Sequence, residues 1–141
     1  MVVGCIPEWE DKILLCRRAI EPRHGFWTLP AGFMENAETL VQAAARETME
    51  EANARVKMGA LYAIYNLPHI NQVYILFRAQ LLDLNFKPGI ESLDVKLFSE
   101  KEIPWDEIAF RVIRTPLELY FDECRRGQFQ FHMDTIEDIH R

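Results

Sequence analysis

The sequence predicts a layered α/β domain, in which β-strands and two α-helices share one core. Short β-prone apolar runs recur through the first hundred residues, and two longer segments have the composition of helices. The chain of 141 residues contains no internal repeat and no low-complexity linker. These features indicate a single domain, which we place at residues 1–127.

The predicted domain begins with a β-hairpin. Residues 2–6 and 12–18 are apolar and β-prone, and the "EWED" segment between them is typical of a turn. A polar loop that contains proline and glycine follows at residues 18–25. The next segment, "FWTLPAG", predicts a short strand that ends at a Pro/Gly break.

Two helices and three further strands complete the predicted domain. The helices are expected at residues 37–52 and 110–126, and the strands at 55–66, 72–82 and 94–99. Gly127 is a suitable residue to end the second helix. Residues 128–141 show weak periodicity, so we expect a C-terminal tail that is either loose or packed against a partner subunit.

Composition and charge narrow the class of protein. The apolar fraction is 49% and the formal net charge is −6, which disfavours a protein that binds long nucleic acids. No apolar run approaches the roughly 20 residues that a membrane-spanning helix needs. The three cysteines include no CxxC pair, which favours free thiols in a reducing compartment. We therefore expect a cytoplasmic protein.

Three carboxylates gather on one face of the first predicted helix. At 100° per residue, Glu50 and Glu51 lie about 60° and about 40° to either side of Glu47. The opposite face is small and apolar, and we expect it to pack on a sheet through Val41, Ala45, Thr48 and Ala52. Such carboxylates repel one another unless a cation lies among them, and hard oxygen ligands favour Mg²⁺ or Mn²⁺. The alternative is a solvated acidic helix face.

The residues around this helix resemble the Nudix box of the Nudix hydrolases. The pattern is G-x5-E-x7-R-E-U-x-E-E-x-G-U, with U a bulky apolar residue, and it starts here at Gly32 and continues through Glu38, Arg46, Glu47, Glu50 and Glu51. The flanking "WTLPAG" and "SEKEIP" segments are also similar to the family. Asn53 stands where the family has glycine, and Thr48 and Ala54 are smaller than the usual apolar residues.

The resemblance implies an α/β/α sandwich with a mixed sheet and the box as a loop-helix-loop. It also implies that Glu47, Glu51 and Glu50 bind Mg²⁺ or Mn²⁺, together with the backbone carbonyl of Ala31. Gly32 and Glu38 would have structural roles, with Glu35 as a further member of the loop network. Arg46 would orient the carboxylates.

A further acid from a later loop takes part in catalysis in many members of this family. The best match is Glu91 in "PGIESLDVKLF", with Asp94 as the alternative. We therefore expect Glu50, Glu91 and Arg46 to act in catalysis.

Substrate contacts are predicted less directly. Arg18 and Arg23 flank the loop before the box and could hold phosphates, and His69 lies in the "LPHIN" loop. Phe26, Trp27, Tyr65 and Tyr74 could face an aromatic ring, but core packing is the favoured interpretation of each, because all lie in or near apolar strands.

Within the family, the chain is similar to proteins of bacteria and plant plastids that hydrolyse FAD or ADP-ribose. The similar segments include "LPHINQVYILFRAQL" and "EIPWDEIAF". Alternatives are an enzyme for NADH or oxidised nucleoside triphosphates, and a non-catalytic module that senses a nucleotide. Several relatives carry an upstream zinc ribbon, but without a CxxC pair we expect no zinc here. The resemblance also implies a homodimer.

Overall fold

The computed structural model describes residues 1–137 and contains eight strands and two α-helices within that range. The first half comprises β1 (Val2–Trp9), β2 (Lys12–Arg18), β3 (Trp27–Thr28), β4 (Ala31–Phe33) and α1 (Leu40–Ala52). The second half comprises β5 (Val56–Leu67), β6 (Gln72–Leu81), β7 (Ser92–Phe98), α2 (Arg111–Arg126) and β8 (His132–Thr135). Short 3-10 turns lie at Pro68–Ile70, Glu100–Glu102 and Trp105–Glu107.

The strands form one mixed sheet, as predicted. Its order is β3-β2-β1-β6-β5-β8, with β4 also paired to β1 and β7 also paired to β2. The β1–β6 and β5–β8 pairs are parallel, and the others are antiparallel. Alternate residues of β1 face the two helical layers, since Val3 and Cys5 pack with α1 whereas Ile6 packs in the core that contains Leu117 of α2. The predicted α/β/α layering is confirmed.

Helix α1 packs closely on the sheet because its buried side chains are small. Thr39 and Gln42 form a capping box at its start. The buried Thr48 hydroxyl is hydrogen-bonded to Cys5 Sγ at 3.2 Å and donates to the Ala44 carbonyl. A larger side chain at position 48 would separate the helix from β1.

The predicted bounds and apolar face of α1 need correction. The helix starts at Leu40 rather than residue 37, because Ala37 has a φ of +66°, which is not helical. Val41 is 45% exposed, whereas Ala43 and Ala44 are fully buried. The apolar face is therefore centred closer to Ala44 than the helical projection predicted.

The predicted C-terminal tail contains a strand of the sheet. Residues His132–Thr135 pair in parallel with β5, and Ile136 donates from its amide to the Asn66 carbonyl at 2.9 Å. In this stretch the tail is an edge strand rather than a loose segment, so the folded domain extends beyond Gly127, and packing against a partner subunit stays a prediction. Residues 138–141 lie outside the described part of the chain. No helix within residues 1–137 is long and apolar enough to cross a bilayer.

The loop that precedes β7 is fixed to the C-terminal end of α1. The Lys87 amide donates to the Ala52 carbonyl, and the Gly89 amide and the Ser92 hydroxyl both donate to the Glu51 carbonyl. These bonds satisfy carbonyls that the helix end leaves without an intrahelical partner. A Cβ at Gly89 would lie 1.8 Å from the Glu50 carbonyl oxygen, so only glycine allows this close approach.

Asn53 connects the same loop to the helix end. Its backbone is left-handed, with a φ of +48°, which asparagine tolerates better than most residues. Its side-chain amide donates to the Lys87 carbonyl at 3.0 Å and the Pro88 carbonyl at 3.3 Å. Asparagine therefore provides loop contacts that glycine, the usual family residue, cannot make.

We predict that Asn53→Ala lowers the free energy of unfolding by about 1–2 kcal/mol, because alanine is strained at this φ and loses both side-chain hydrogen bonds. Asn53→Gly should cost less, under about 1 kcal/mol, because it relieves the backbone strain. Urea denaturation of the three proteins measures both values. Equal stability of all three would contradict this assignment.

Candidate active site

A cavity of about 860 Å³ opens beside the N-terminal end of β1 and the start of β6. One side of it is acidic, with carboxylates from α1 and from the loop before β7. Other parts of the wall carry arginines and apolar or aromatic side chains. The cavity therefore offers separate surfaces for a charged group and for rings.

Arg46 organises the acidic side. Its guanidinium donates to both carboxylate oxygens of Glu38, at 2.6 and 3.0 Å, and to the Phe33 carbonyl at 3.1 Å. It also donates to Glu47 at 2.9 Å and to Glu50 at 3.1 Å. These contacts raise the pKa of Arg46 above its ordinary value, with the bond to Glu38 as the largest cause.

Glu38 in turn accepts from the Glu35 amide at 2.9 Å, so it links the loop to Arg46. The pKa of Glu38 lies below its ordinary value, chiefly because of the bond from Arg46. The side chain of Glu35 also contacts Arg46, at 3.5 Å. The box loop and α1 are thus joined by one guanidinium.

Gly32 leaves the space that the Glu47 carboxylate occupies. A Cβ at Gly32 would lie 2.3 Å from that carboxylate, so no side chain fits there. Glu47 is only 8% exposed, and burial raises its pKa although Arg46 acts in the opposite direction. Glu47 is therefore held close to β4.

Glu51 lies in a part of the site with little compensating positive charge. Burial and the negative charge of Glu47 raise the pKa of Glu51 to about 8. The Ala31 amide, which donates at 3.3 Å, and the charge of Arg18 act in the opposite direction. Glu91 lies close enough to raise the pKa of both Glu47 and Glu51.

The carboxylate oxygens of these residues are suitable ligands for a hard divalent cation. They are not already arranged around a single metal position. Within residues 1–137, no three His, Cys, Asp or Glu side chains converge as a ready-made metal site. Part of the reason for this absence is that Glu47 and Glu50 are already bonded to Arg46. However, burial raises the pKa of both Glu47 and Glu51, in spite of Arg46 beside Glu47, and a bound Mg²⁺ or Mn²⁺ would favour their charged forms.

The structure brings most of the predicted residues to one cavity. Its lining contains Arg18, Arg23, Ala31, Gly32, Arg46, Glu47, Glu50, Glu51, His69, Tyr74 and Glu91. Glu38 lies behind Arg46 and supports it. Trp27 and Tyr65 belong to the hydrophobic core, as the packing interpretation has it, and Asp94 caps its own strand by accepting from the Val95 amide. The roles assigned to the lining residues stay predictions.

Several lining residues were not predicted from the sequence. They are Ile20, Pro22, Leu67, Trp105, Ile108, Phe110, Arg111, Val112, Arg114 and Ile136. The "EIPWDEIAF" segment, which includes Trp105, Ile108 and Phe110, was noted only for its family likeness. Arg18 lies 5.1 Å from the centre of the Phe110 ring and donates to the Pro22 carbonyl, so this segment and the loop after β2 form one wall.

The family follows from the fold and from this site. The sequence model of the NUDIX domain matches residues 1–115. The chain therefore belongs to the Nudix family, and its box retains the charged residues Glu38, Arg46, Glu47, Glu50 and Glu51.

Three relatives show how far the similarity extends. A NUDIX hydrolase from Nitrosomonas europaea is 68% identical and has a TM-score of 0.96, over 97% of this chain and 78% of that one. An ADP-ribose pyrophosphatase of Methanocaldococcus jannaschii is 30% identical over 74% of this chain and 64% of its own length. The NAD-capped RNA hydrolase NudC of Salmonella typhi is 54% identical over 34% of this chain and 18% of its own length. The chain thus spans less than two thirds of either curated relative.

We predict that Glu51→Gln stabilises the metal-free protein near pH 8. The folded state keeps a proton on Glu51 up to about pH 8, whereas the unfolded chain loses it near the ordinary pKa, so wild-type stability should fall as pH rises between these values. The variant should lack this slope, and its Tm at pH 8 should exceed that of the wild type by roughly 2–4 °C or more. Thermal unfolding in chelator measures both.

Glu50→Gln is the matched control, since the Glu50 side chain is 55% exposed on the same helical turn. It should change the metal-free Tm little. Mg²⁺ should then raise the Tm of the wild type more than that of Glu51→Gln. A Glu51→Gln protein that is no more stable than Glu50→Gln would contradict the raised pKa.

Proposed function

We propose that this Nudix hydrolase uses water to cleave the diphosphate linkage of FAD or ADP-ribose in a reaction that depends on Mg²⁺ or Mn²⁺. One observation carries the proposal: the Glu47 and Glu51 carboxylates, whose pKa values burial raises, lie in the same cavity as arginines and rings. A nucleoside diphosphate derivative has matching parts, because a metal-bound diphosphate fits the acidic side and its rings fit the apolar surfaces.

In the proposed mechanism, Glu47, Glu51 and Glu50 hold the metal with the carbonyl of Ala31. When bound, the metal ion neutralises the phosphates and makes the attacking water more acidic. Gly32 and Arg46 fix the position of Glu47, so that its carboxylate stays beside β4.

Glu91 accepts the proton of the attacking water in this proposal. Its loop is bound to the end of α1 through Gly89 and Ser92, which places the carboxylate close to Glu47 and Glu51. Arg18, which lies 5.1 Å from the centre of the Phe110 ring, would bind a phosphate oxygen. The water oxygen forms a bond to one phosphorus as the bond from that phosphorus to the bridging oxygen breaks, and the other half of the substrate leaves as a phosphate that keeps the bridging oxygen.

Two observations bear on which nucleotide is the substrate. The archaeal relative is named an ADP-ribose pyrophosphatase, which favours ADP-ribose. The partly buried aromatic side chains that line the cavity, including Phe26 and Tyr74, favour a substrate with a large ring such as FAD. NADH, oxidised nucleoside triphosphates and a sensor role are the alternatives, and the homodimer and cytoplasmic location stay predictions.

We predict that Glu47→Gln and Glu51→Gln each lower metal-dependent kcat by at least about 100-fold, because each loses a charged ligand oxygen. Product release should be measured with Mg²⁺ or Mn²⁺ on FAD, ADP-ribose, NADH and an oxidised dGTP. Asp11→Asn, in the exposed β1–β2 turn, is the control and should retain activity.

A clear preference for FAD or ADP-ribose that a chelator abolishes would support the proposal. Retained turnover in both glutamine variants would refute the metal assignment. Tight nucleotide binding by the wild type without turnover would favour the sensor role.

A further inference from the structure

The segment after α2 is anchored to the domain by a buried glutamate. Glu123 of α2 is 1% exposed. Its carboxylate accepts from the Tyr62 hydroxyl at 2.8 Å and from the Gln130 amide at 3.3 Å, and it is hydrogen-bonded to Nε2 of His132. Burial alone would raise the pKa of Glu123, but these bonds hold it below its ordinary value. The carboxylate is thus satisfied largely by the segment that it anchors.

A second anchor lies at Phe129. The Arg78 guanidinium stacks 3.6 Å from the centre of the Phe129 ring, and Arg78 is held by two hydrogen bonds to Glu8. The Phe129 ring also lies 5.6 Å from that of Tyr120. Both anchors precede β8 or lie at its start, so they fix where the strand begins.

The far end of β8 forms part of the cavity. The Ile136 amide is bonded to the Asn66 carbonyl. The Ile136 side chain is 6% exposed and packs in the core with Leu67 and Val112, and these three residues contribute to the cavity wall. Gly32, beside Glu47, lies four strands away in the order β4-β1-β6-β5-β8. At about 4.8 Å per strand, Ile136 is roughly 19 Å from the carboxylates along the sheet.

We infer that residues 128–136 are a specificity element, in which Ile136 forms the wall that contacts the ring system of the substrate farthest from the diphosphate. This inference rests on the proposed function. The apolar surface at Ile136 is too far from the acidic side to touch the reacting phosphorus. It can contact the far end of an extended substrate that has a ring on one or both sides of the diphosphate. Glu123 and His132 are positioning residues, because they act only through β8.

The test uses Ile136→Trp, which should narrow the cavity at its far end. Binding of FAD and of ADP-ribose should be measured in chelator, where no turnover occurs, and KM and kcat with Mg²⁺. We expect the Kd and KM of the preferred nucleotide to rise at least 10-fold, with kcat within about 2-fold of wild type. Met133→Trp is the matched control, since Met133 is a 67% exposed residue of the same strand.

The anchor is tested with His132→Ala and His132→Gln. Alanine removes the partner of Glu123 and should raise the Kd several-fold, whereas glutamine can still donate to the carboxylate and should restore most of the affinity. A structural role alone would lower the Tm of His132→Ala without this effect on Kd. Should His132→Ala fail to fold, the Ile136→Trp measurement still decides.

These measurements can refute the proposed hydrolase activity and the proposed specificity element independently of each other. Wild-type hydrolysis with an unchanged Kd and KM in Ile136→Trp would overturn the specificity element alone. Wild-type binding without hydrolysis, with weaker binding by Ile136→Trp, would refute the enzyme and support the specificity element. Failure of the wild type both to bind and to hydrolyse either nucleotide with Mg²⁺ present would refute both.

Discussion

The site depends on the contacts of one guanidinium. Arg46 binds Glu38 in the box loop, Glu47 and Glu50 on its own helix, and the backbone of β4. Without it, three neighbouring carboxylates would repel one another and the loop would lose its link to α1. A lysine could not make these contacts, because they need several N–H donors in a planar arrangement. The position of the whole acidic side therefore follows from this one side chain.

The same arrangement lowers the stability of the metal-free folded protein. Arg46 neutralises Glu38 well, but burial still raises the pKa of Glu47, and that of Glu51 rises to about 8. A domain selected only for stability would not bury two carboxylates with so little positive charge around them. Binding a divalent ion relieves this cost, so the energy of metal binding and the stability of the domain are linked.

The sequence predicted the features that follow from local periodicity. The spacing of Glu47, Glu50 and Glu51 fixes their common helix face, and the strand runs predicted the mixed sheet. Periodicity could not predict β8, because this short edge strand is held by pairing with residues far away in sequence, Ala63 to Asn66 of β5. The same reason explains why Ile136 was not expected in the cavity. The buried face of α1 was only partly predicted, since Ala43 and Ala44 have too little apolar surface to give a strong signal.

The bonds between the end of α1 and the loop before β7 determine which parts of this domain can change in sequence without disturbing the site. The chain leaves α1 at Asn53, runs out along β5, turns at Pro68–Ile70, and returns to the same helix end at Lys87 and Gly89. Because both ends of this excursion are fixed at one place, its distant turn can change in length or composition without moving Glu51 or Glu91. His69 and Ile70 in that turn line the cavity. The turn between β5 and β6 is therefore the part of this hairpin that can change to fit a different ligand, while the strands and the carboxylates keep their positions.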